Sequence, residues 1–351
     1  MRLALLLTFT AGFAFAQTPG TVRTFATASP DSLVDLIAFG SCAGQDQSHE
    51  FWDVIGAHDP DLFLMLGDNV YADTGDMQEM RAAYEKMGAY PTYAYFRERI
   101  PLFATWDDHD YGFNDSGAEF DMRGQAQMVF LEAFGEPADS PRWTRPGIYD
   151  AHIFGPAGQR VQIILLDTRY FRGPLARKPE GSPGPGRYAP TADTSVTMLG
   201  DAQWAWLEEQ LRQPADVRFI GSSIQFVAAE HGFEKWANMP HERDRLVQLI
   251  ADTGAKNVVF LSGDRHLAEI SALPASEAPY TLYDVTSSSF NRPGRGSNAE
   301  EPNRYRVSEG NYSPVNYGLV HIDWEAEAFR FEIRNALSGD TVLAHSAAMG
   351  E

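Results

Sequence analysis

Short continuous apolar runs, each closed by a small or acidic residue, alternate with segments of helical period along the first 270 residues of the chain. The runs DLIAFGSC (35–42), DLFLMLGD (61–68) and PLFATWDD (101–108) predict buried strands. VQIILLD (161–167), VRFIGSS (217–223) and NVVFLSGD (257–264) predict three more. Between them the spacing predicts helices over 48–57, with Ser48 as cap, and over 77–90, 122–134, 201–212 and 241–253. From Tyr280 the pattern turns β-rich, with TLYDVTSS, NYGLVHIDW, FRFEIRN and a closing strand. The alternation predicts α/β architecture, and the late strands a second or mixed sheet. Residues 172–190 hold five Pro and four Gly and read as a lid, a binding loop or a disordered segment. No repeat or composition shift marks a boundary, so residues 17–351 are expected to form one domain.

Composition narrows the function. Of 351 residues, 44% are apolar and 22% charged, which is ordinary for a folded domain. The formal charge of −20 would repel a phosphate backbone, so no general nucleic-acid binding surface is expected. The one cysteine, Cys42, excludes an internal disulfide framework and a Cys-rich zinc site.

The start of the chain predicts a compartment. Arg2, an apolar run from Leu3 to Phe13, and Ala14-Phe15-Ala16 before Gln17 read as a secretory signal peptide over residues 1–16. The run is shorter than the roughly 20 apolar residues of a spanning helix, and no later stretch reaches that length. No twin-arginine pair or lipobox cysteine is present, so export by the general secretory route is expected. The protein would then be periplasmic or extracellular, and not integral to the membrane.

Candidate chemistry collects where the strands end. Cys42 closes the first run and Asp68 the second. Asp107-Asp108-His109-Asp110 closes the third, and Asp264 with His266 a later one. Parallel strands bring their carboxyl ends to one edge of a sheet, so these side chains can converge. Several carboxylates in one small volume need compensation, which bound cations supply most simply. Histidine and thiolate add softer ligands suited to iron or zinc. Each motif alone is ordinary, and Gly67-Asp68 is a common strand-to-turn pair. Asp68, Asp73 and Asp76 do not match an EF-hand spacing. Together the motifs predict a multinuclear metal site.

The motifs GSC (40–42), GDNVYAD (67–73), TWDDHDYGFND (105–115), FIGSSIQF (219–226) and LSGDRHLAEI (261–270) resemble those of the alkaline phosphatase D (PhoD-like) phosphatases. That family is a branch of the calcineurin-like metallophosphoesterases. LGDAQWAWLEEQL (199–211), KWANMPHERDRL (235–246) and YDVTSSSFN (283–291) extend the resemblance to about residues 36–335. It implies an α/β sandwich of two mixed β-sheets flanked by helices. It implies hydrolysis of phosphomonoesters, phosphodiesters or both, by attack of a metal-bound hydroxide on phosphorus. It places Cys42, Asp68, Tyr71 and His266 around a ferric ion, with Asp68 bridging. Asp108 and Asp264 would hold calcium or another divalent ion. His109 matches a histidine that touches substrate rather than metal, which leaves His109 and Asp68 as the catalytic pair. Asn69, Gln225 and Arg265 are candidate metal or substrate contacts, although Arg265 could equally pair with a neighbouring carboxylate. Family members are often twin-arginine substrates loaded with metal before export. The signal here would leave metal to be acquired afterwards.

Two cationic stretches stand out against the acidic background. Arg177 and Lys178 in the 172–190 loop, and Arg292 and Arg295 in the 292–306 segment, are candidates for steering an anionic substrate. The substrate would be a small phosphate ester, a lipid head group or a wall polymer. In the last two cases the activity would be that of a phospholipase-like or polymer-directed phosphodiesterase. A cysteine hydrolase using Cys42 with His109 or His266 is a weaker alternative, because it leaves Asp68, Asp108 and Asp264 without a role. A degenerate metal or phosphate binder is weaker still, since every core motif is present.

Overall fold

The computed structural model describes residues 25–294 and 301–350; the expected signal peptide and Arg295 lie outside them. In chain order the strands are β1 (Leu36–Gly40), β2 (Leu62–Leu66), β3 (Leu102–Thr105), β4 (Asp150–Phe154), β5 (Val161–Leu165) and β6 (Val217–Ser222). They continue with β7 (Val258–Ser262), β8 (Ala268–Leu273), β9 (Leu282–Ser287), β10 (Asn316–Asp323), β11 (Ala328–Asn335) and β12 (Thr341–Ala348). The helices are α1 (Phe51–Gly56), α2 (Met77–Gly88), α3 (Pro91–Arg97), α4 (Asp108–Tyr111), α5 (Arg123–Ala133), α6 (Gly200–Leu211) and α7 (Pro240–Thr253).

Two six-stranded sheets form, in the orders β12-β11-β10-β1-β2-β3 and β4-β5-β6-β7-β9-β8. Both are mixed. β1, β2 and β3 run parallel, while β10 pairs antiparallel with β1. In the other sheet β5, β6, β7 and β9 run parallel, with β4 and β8 antiparallel at the edges. The late β-rich segment thus serves both sheets.

The central strands are buried on both faces, and their alternation sorts residues between layers. Ile37, Phe39, Leu62, Leu64 and Leu66 share an inter-sheet core with Ile163, Leu165, Phe219, Val259 and Leu261. Ala38, Phe63 and Met65 face the opposite way, into a core with Trp52, Tyr84, Phe96 and Phe130 of the helices on that side. Ile164, Ile220 and Phe260 pack with Leu207 of α6 and Leu246 and Ile250 of α7. The result is four layers, helices–sheet–sheet–helices. Truncating a central residue such as Leu64 to alanine is expected to cost about 2–5 kcal/mol.

Local chemistry sets the ends. Asp76 caps α2, its Oδ1 accepting from the Gln78 amide at 2.8 Å, and α2 buries Met80, Ala83, Tyr84 and Met87 at helical spacing. Ser48 does not cap α1: the helix starts at Phe51, behind Glu50, which makes no side-chain cap bond. β1, β2 and β3 stop short of their apolar runs, because the chain turns left-handed at Cys42 (φ 64°) and Asp68 (φ 50°) and enters α4 at Asp108. The 172–190 loop lacks helices but is pinned, through a bridge between Arg177 and Tyr188 and another between Gly186 and Gly232. Among the described residues no helix is long and apolar enough to cross a membrane.

Candidate metal centre

The carboxyl ends of the parallel strands in both sheets meet at one end of the sandwich, and the strand-end residues meet there. Cys42 follows β1, Asp68 follows β2, and Asp107 and Asp108 follow β3. Asp264 and His266 follow β7. Cys42, Asp68, Asp264 and His266 all adopt left-handed backbone conformations, with φ between 50° and 65°. Such conformations cost roughly 1–2 kcal/mol each outside glycine, and they concentrate at functional sites. Gly67 (φ 98°) permits the β2 turn. A Cβ there would fall 2.5 Å from Asp107 Cβ, so only glycine lets the two strand ends approach.

Ligand atoms of Cys42, Asp68 and His266 lie within 4.8 Å of one another, as do those of Asp68, Asp108 and His109. A third group joins Asp107, Asp108 and Asp264, and a fourth Asp108, Asp115 and Glu234. Asp68 belongs to two of these groups and Asp108 to three. The Cys42 thiol donates to Asp68 Oδ2 at 3.3 Å and lies 3.1 Å from Ser288 Oγ. Tyr71 Oη donates to the same Asp68 oxygen at 2.9 Å and lies 2.9 Å from His266 Nε2. The other Asp68 oxygen, Oδ1, is buried without a hydrogen-bond partner among the described residues, and so is Asp107 Oδ2. An orphaned, buried carboxylate oxygen costs free energy unless a cation or a proton compensates it.

The electrostatics carry the same message. Burial, then the neighbouring Cys42, pushes Asp68 well above the usual carboxylate range. Burial, then Asp107, does the same to Asp264. Burial also pushes the Cys42 thiol up to about 11, against hydrogen bonds from Ser288 and Ser41. Burial thus favours the protonated forms of these acids wherever no cation compensates them. The donor set therefore fits metal ions, which favour the ionised forms. His266 is moved down to about 4, chiefly by burial and then by Arg292, which leaves a neutral imidazole able to donate a lone pair. For His109, burial opposes the charged ring, but Asp68, Asp73 and Asp108 outweigh it and raise the imidazole to about 10. Its Nδ1 lies 2.6 Å from Asp73 Oδ1, and its ring packs on Tyr71 with centroids 4.4 Å apart.

A cleft of about 580 Å³ opens above this centre. Asp68, Asp108, His109, Asp264 and His266 line it, together with Arg187, Arg265 and Arg292. The remaining candidates are engaged in different ways. Gln225 faces away from the acidic cluster: its Nε2 donates to Glu269 Oε1 and Thr286 Oγ1 at 2.8 and 2.9 Å, and its Oε1 lies 3.0 Å from His231 Nε2. With its amide committed on both sides, nothing remains for a metal. Asn69 donates from Nδ2 to Asp110 Oδ2 at 2.6 Å and to the Thr105 carbonyl at 2.9 Å, while its Oδ1 is buried without a hydrogen-bond partner among the described residues. Arg265 pairs with Glu301 and stacks 4.0 Å over Phe233. Arg177 and Lys178 are not in the cleft wall. Arg177 lies over the Tyr188 ring, and Lys178 Nζ donates to the Pro185 carbonyl at 2.9 Å. Arg187, from the same loop, takes the wall position, 3.6 Å from Asp115.

Asp107 joins the site as its strand-end position predicts, and three further acidic residues join it: Asp73, Asp115 and Glu234. Asp73 and Asp115 lie inside the motifs that follow β2 and β3. Glu234 lies in an irregular stretch after β6 with no periodic signal. Beneath the cluster Arg169, fully buried, donates from Nε to Asp107 Oδ1 and from Nη1 to Glu234 Oε2, both at 2.6 Å. Arg172 reaches Glu234 at 3.1 Å.

Comparison with known proteins identifies the fold and the family. The chain is 22% identical to alkaline phosphatase D of Bacillus subtilis, over 70% of its own length and 48% of the relative's. It therefore spans about half of that curated relative. The solved structure of PhoD superposes with a TM-score of 0.71 at 18% identity, covering 93% of this chain and 72% of that one. The GAP50 anchor of the inner membrane complex of Plasmodium superposes at 0.59 and 12% identity, covering 91% and 90%. A purple acid phosphatase from yellow lupin (Lupinus luteus) superposes at 0.57 and 11%, covering 92% and 55%. At these identities the structural likenesses speak to fold alone. The family model of the PhoD-like phosphatases matches residues 37–332, and the chain belongs to that family.

Proposed function

We propose that this chain is an exported metal-dependent phosphoesterase acting on phosphomonoesters, phosphodiesters or both. The observation that carries the reading is Asp68 Oδ1, a buried oxygen without a partner among the described residues, in a cluster where Cys42, Asp108, His109 and His266 converge. Cys42, Asp68, Tyr71 and His266 offer thiolate, carboxylate, phenolate and imidazole donors, a set suited to iron. Asp108 and Asp264, joined by Asp107, offer only oxygens, a set suited to calcium or a similar hard ion. Bound there, the cations would acidify a water and neutralise phosphoryl charge.

The chain's own residues do the rest. Asp73 holds the His109 ring from its Nδ1 side, and the Tyr71 face supports it. His109 lines the cleft, where it is placed to donate a proton to a departing alkoxide or to stabilise phosphoryl oxygens. The cysteine-hydrolase alternative loses ground on geometry. The hydrogen-bonding partners of the thiol are Asp68, Ser41, Ser288 and the Asp264 carbonyl, not a histidine.

The test compares a chromogenic phosphodiester with its monoester, using metal-replete protein and a chelated control. Turnover that chelator abolishes and added metal restores is expected. Turnover indifferent to chelator would sink the metal-dependent reading, and its absence with iron and calcium loaded would sink the hydrolase reading. Export is tested by expressing the full chain in a Gram-negative host and following loss of residues 1–16 by intact mass.

A further inference from the structure

Three arginines line the cleft, and two are engaged: Arg187 with Asp115 and Arg265 with Glu301. Arg292 differs. Its guanidinium makes neither an ion pair nor a hydrogen bond among the described residues, and lies 3.7 Å over the ring of Tyr71. That ring carries the hydroxyl shared with Asp68 and His266, so the Arg292 guanidinium sits beside the metal-ligand cluster. In a chain of net charge −20, an arginine with no carboxylate beside it among the described residues is available to an anion from outside.

Its position is built. Asn291, one residue before it, is clipped to the loop after β1: the Gly44 amide donates to Asn291 Oδ1 at 2.7 Å. Asn291 Nδ2 in turn donates to the carbonyls of Gly44 and Ser48 at 3.1 and 3.0 Å. The stem of Arg292 passes over Gly44, where a Cβ would fall 2.8 Å from Arg292 Cδ. A side chain at position 44 would displace the arginine stem.

We propose that Arg292 recognises the terminal oxygens of the substrate phosphate and biases the cleft toward phosphomonoesters. The inference rests on the phosphoesterase reading above. A guanidinium can bind two phosphate oxygens at once through parallel charge-assisted hydrogen bonds. Its contribution grows with the charge it meets. A monoester offers one more terminal oxygen and one more negative charge than a diester.

The experiment uses the metal-loaded chain as wild type, Arg292→Met, Arg292→Lys and Gly44→Ala, with metal content measured on each. Inorganic phosphate is the binding probe, titrated calorimetrically; the chromogenic monoester and diester are the kinetic probes. Arg292→Met is expected to keep its metal and to weaken phosphate binding by at least about tenfold, the scale of a lost charge-assisted pair. Arg292→Lys recovers part of the loss, and Gly44→Ala reproduces part of it with the charge intact. The kcat/KM of Arg292→Met falls further on the monoester than on the diester. Unchanged phosphate affinity at equal metal content overturns the proposal, as does loss of metal from Arg292→Met or an equal fall on both esters. If the wild type turns over neither ester, the phosphoesterase reading fails by itself, and the phosphate titration still decides the role of Arg292.

Discussion

Tyr71 Oη, carried on the loop after β2, lies 2.9 Å from Nε2 of His266, carried on the loop after β7, so that one phenol spans the junction of the two sheets. The same oxygen donates to Asp68, and the ring beneath it supports His109 on centroids 4.4 Å apart and Arg292 at 3.7 Å. Tyr71 thus touches a metal-ligand candidate, a proton-transfer candidate and the Arg292 guanidinium at once.

Tyr71→Phe separates these contacts, because it keeps the ring and deletes the oxygen. Retention of metal against a chelator is expected to fall by at least about tenfold, on the scale seen when a partner of a metal ligand is lost. Iron-loaded wild type should also show a visible phenolate-to-iron band that the variant lacks. Identical spectra and metal content would reduce the hydroxyl to a structural hydrogen bond.

His109→Ala and Asp68→Ala are expected to fail differently. The first should keep its metal while turnover drops by about 10²–10⁴-fold, the usual contribution of a positioned acid or base. The second removes the carboxylate common to two ligand groups and should lose metal itself. Metal analysis beside kinetics distinguishes them, and equal metal loss in both would refute the division of roles.

Arg169 neutralises Asp107 and Glu234 from a fully buried position. Arg169→Met leaves two buried carboxylates short of their cation, and breaking a buried pair in this way costs about 3–5 kcal/mol. A large drop in melting temperature is expected from Arg169→Met and a smaller one from Arg169→Lys. A change within a degree or two in the methionine variant would mean that the network carries little stability.

His49 predicts a pH dependence of stability. Burial moves its imidazole down to about 4, against a hydrogen bond to the Gly44 carbonyl. Its Nδ1 accepts from Trp52 Nε1 at 3.1 Å, which requires the neutral ring. The unfolded chain takes up this proton first, near the ordinary histidine value of about 6.5. The stabilising contribution is therefore complete above about pH 6.5 and is lost as pH falls toward 4. Metal-free wild type should lose more melting temperature between pH 7 and pH 4.5 than His49→Gln. Parallel curves for the two proteins would show that His49 does not titrate with unfolding.

The features legible along the chain are those whose signal is local. Continuous apolar runs such as 61–68 and 257–264 mark strands buried on both faces, and each ends on a residue that reaches the centre, Asp68 and Asp264. Those strand-end positions, with Tyr71, His109 and His266 at fixed short offsets, were enough to name the family and the converging carboxylates. The tertiary structure alone decided which polar groups are already satisfied, because partners lie tens to hundreds of residues apart. Gln225 and Arg265 sit in motifs that looked catalytic, yet Glu269 and Thr286 occupy the one and Glu301 the other. Glu234 joins the cluster from a loop without periodicity, and Arg187 rather than Arg177 or Lys178 faces the cleft. Arg292 is distinguished from the other cleft arginines by the absence, among the described residues, of a carboxylate beside it. That property belongs to the packed surroundings and not to the segment that carries the residue.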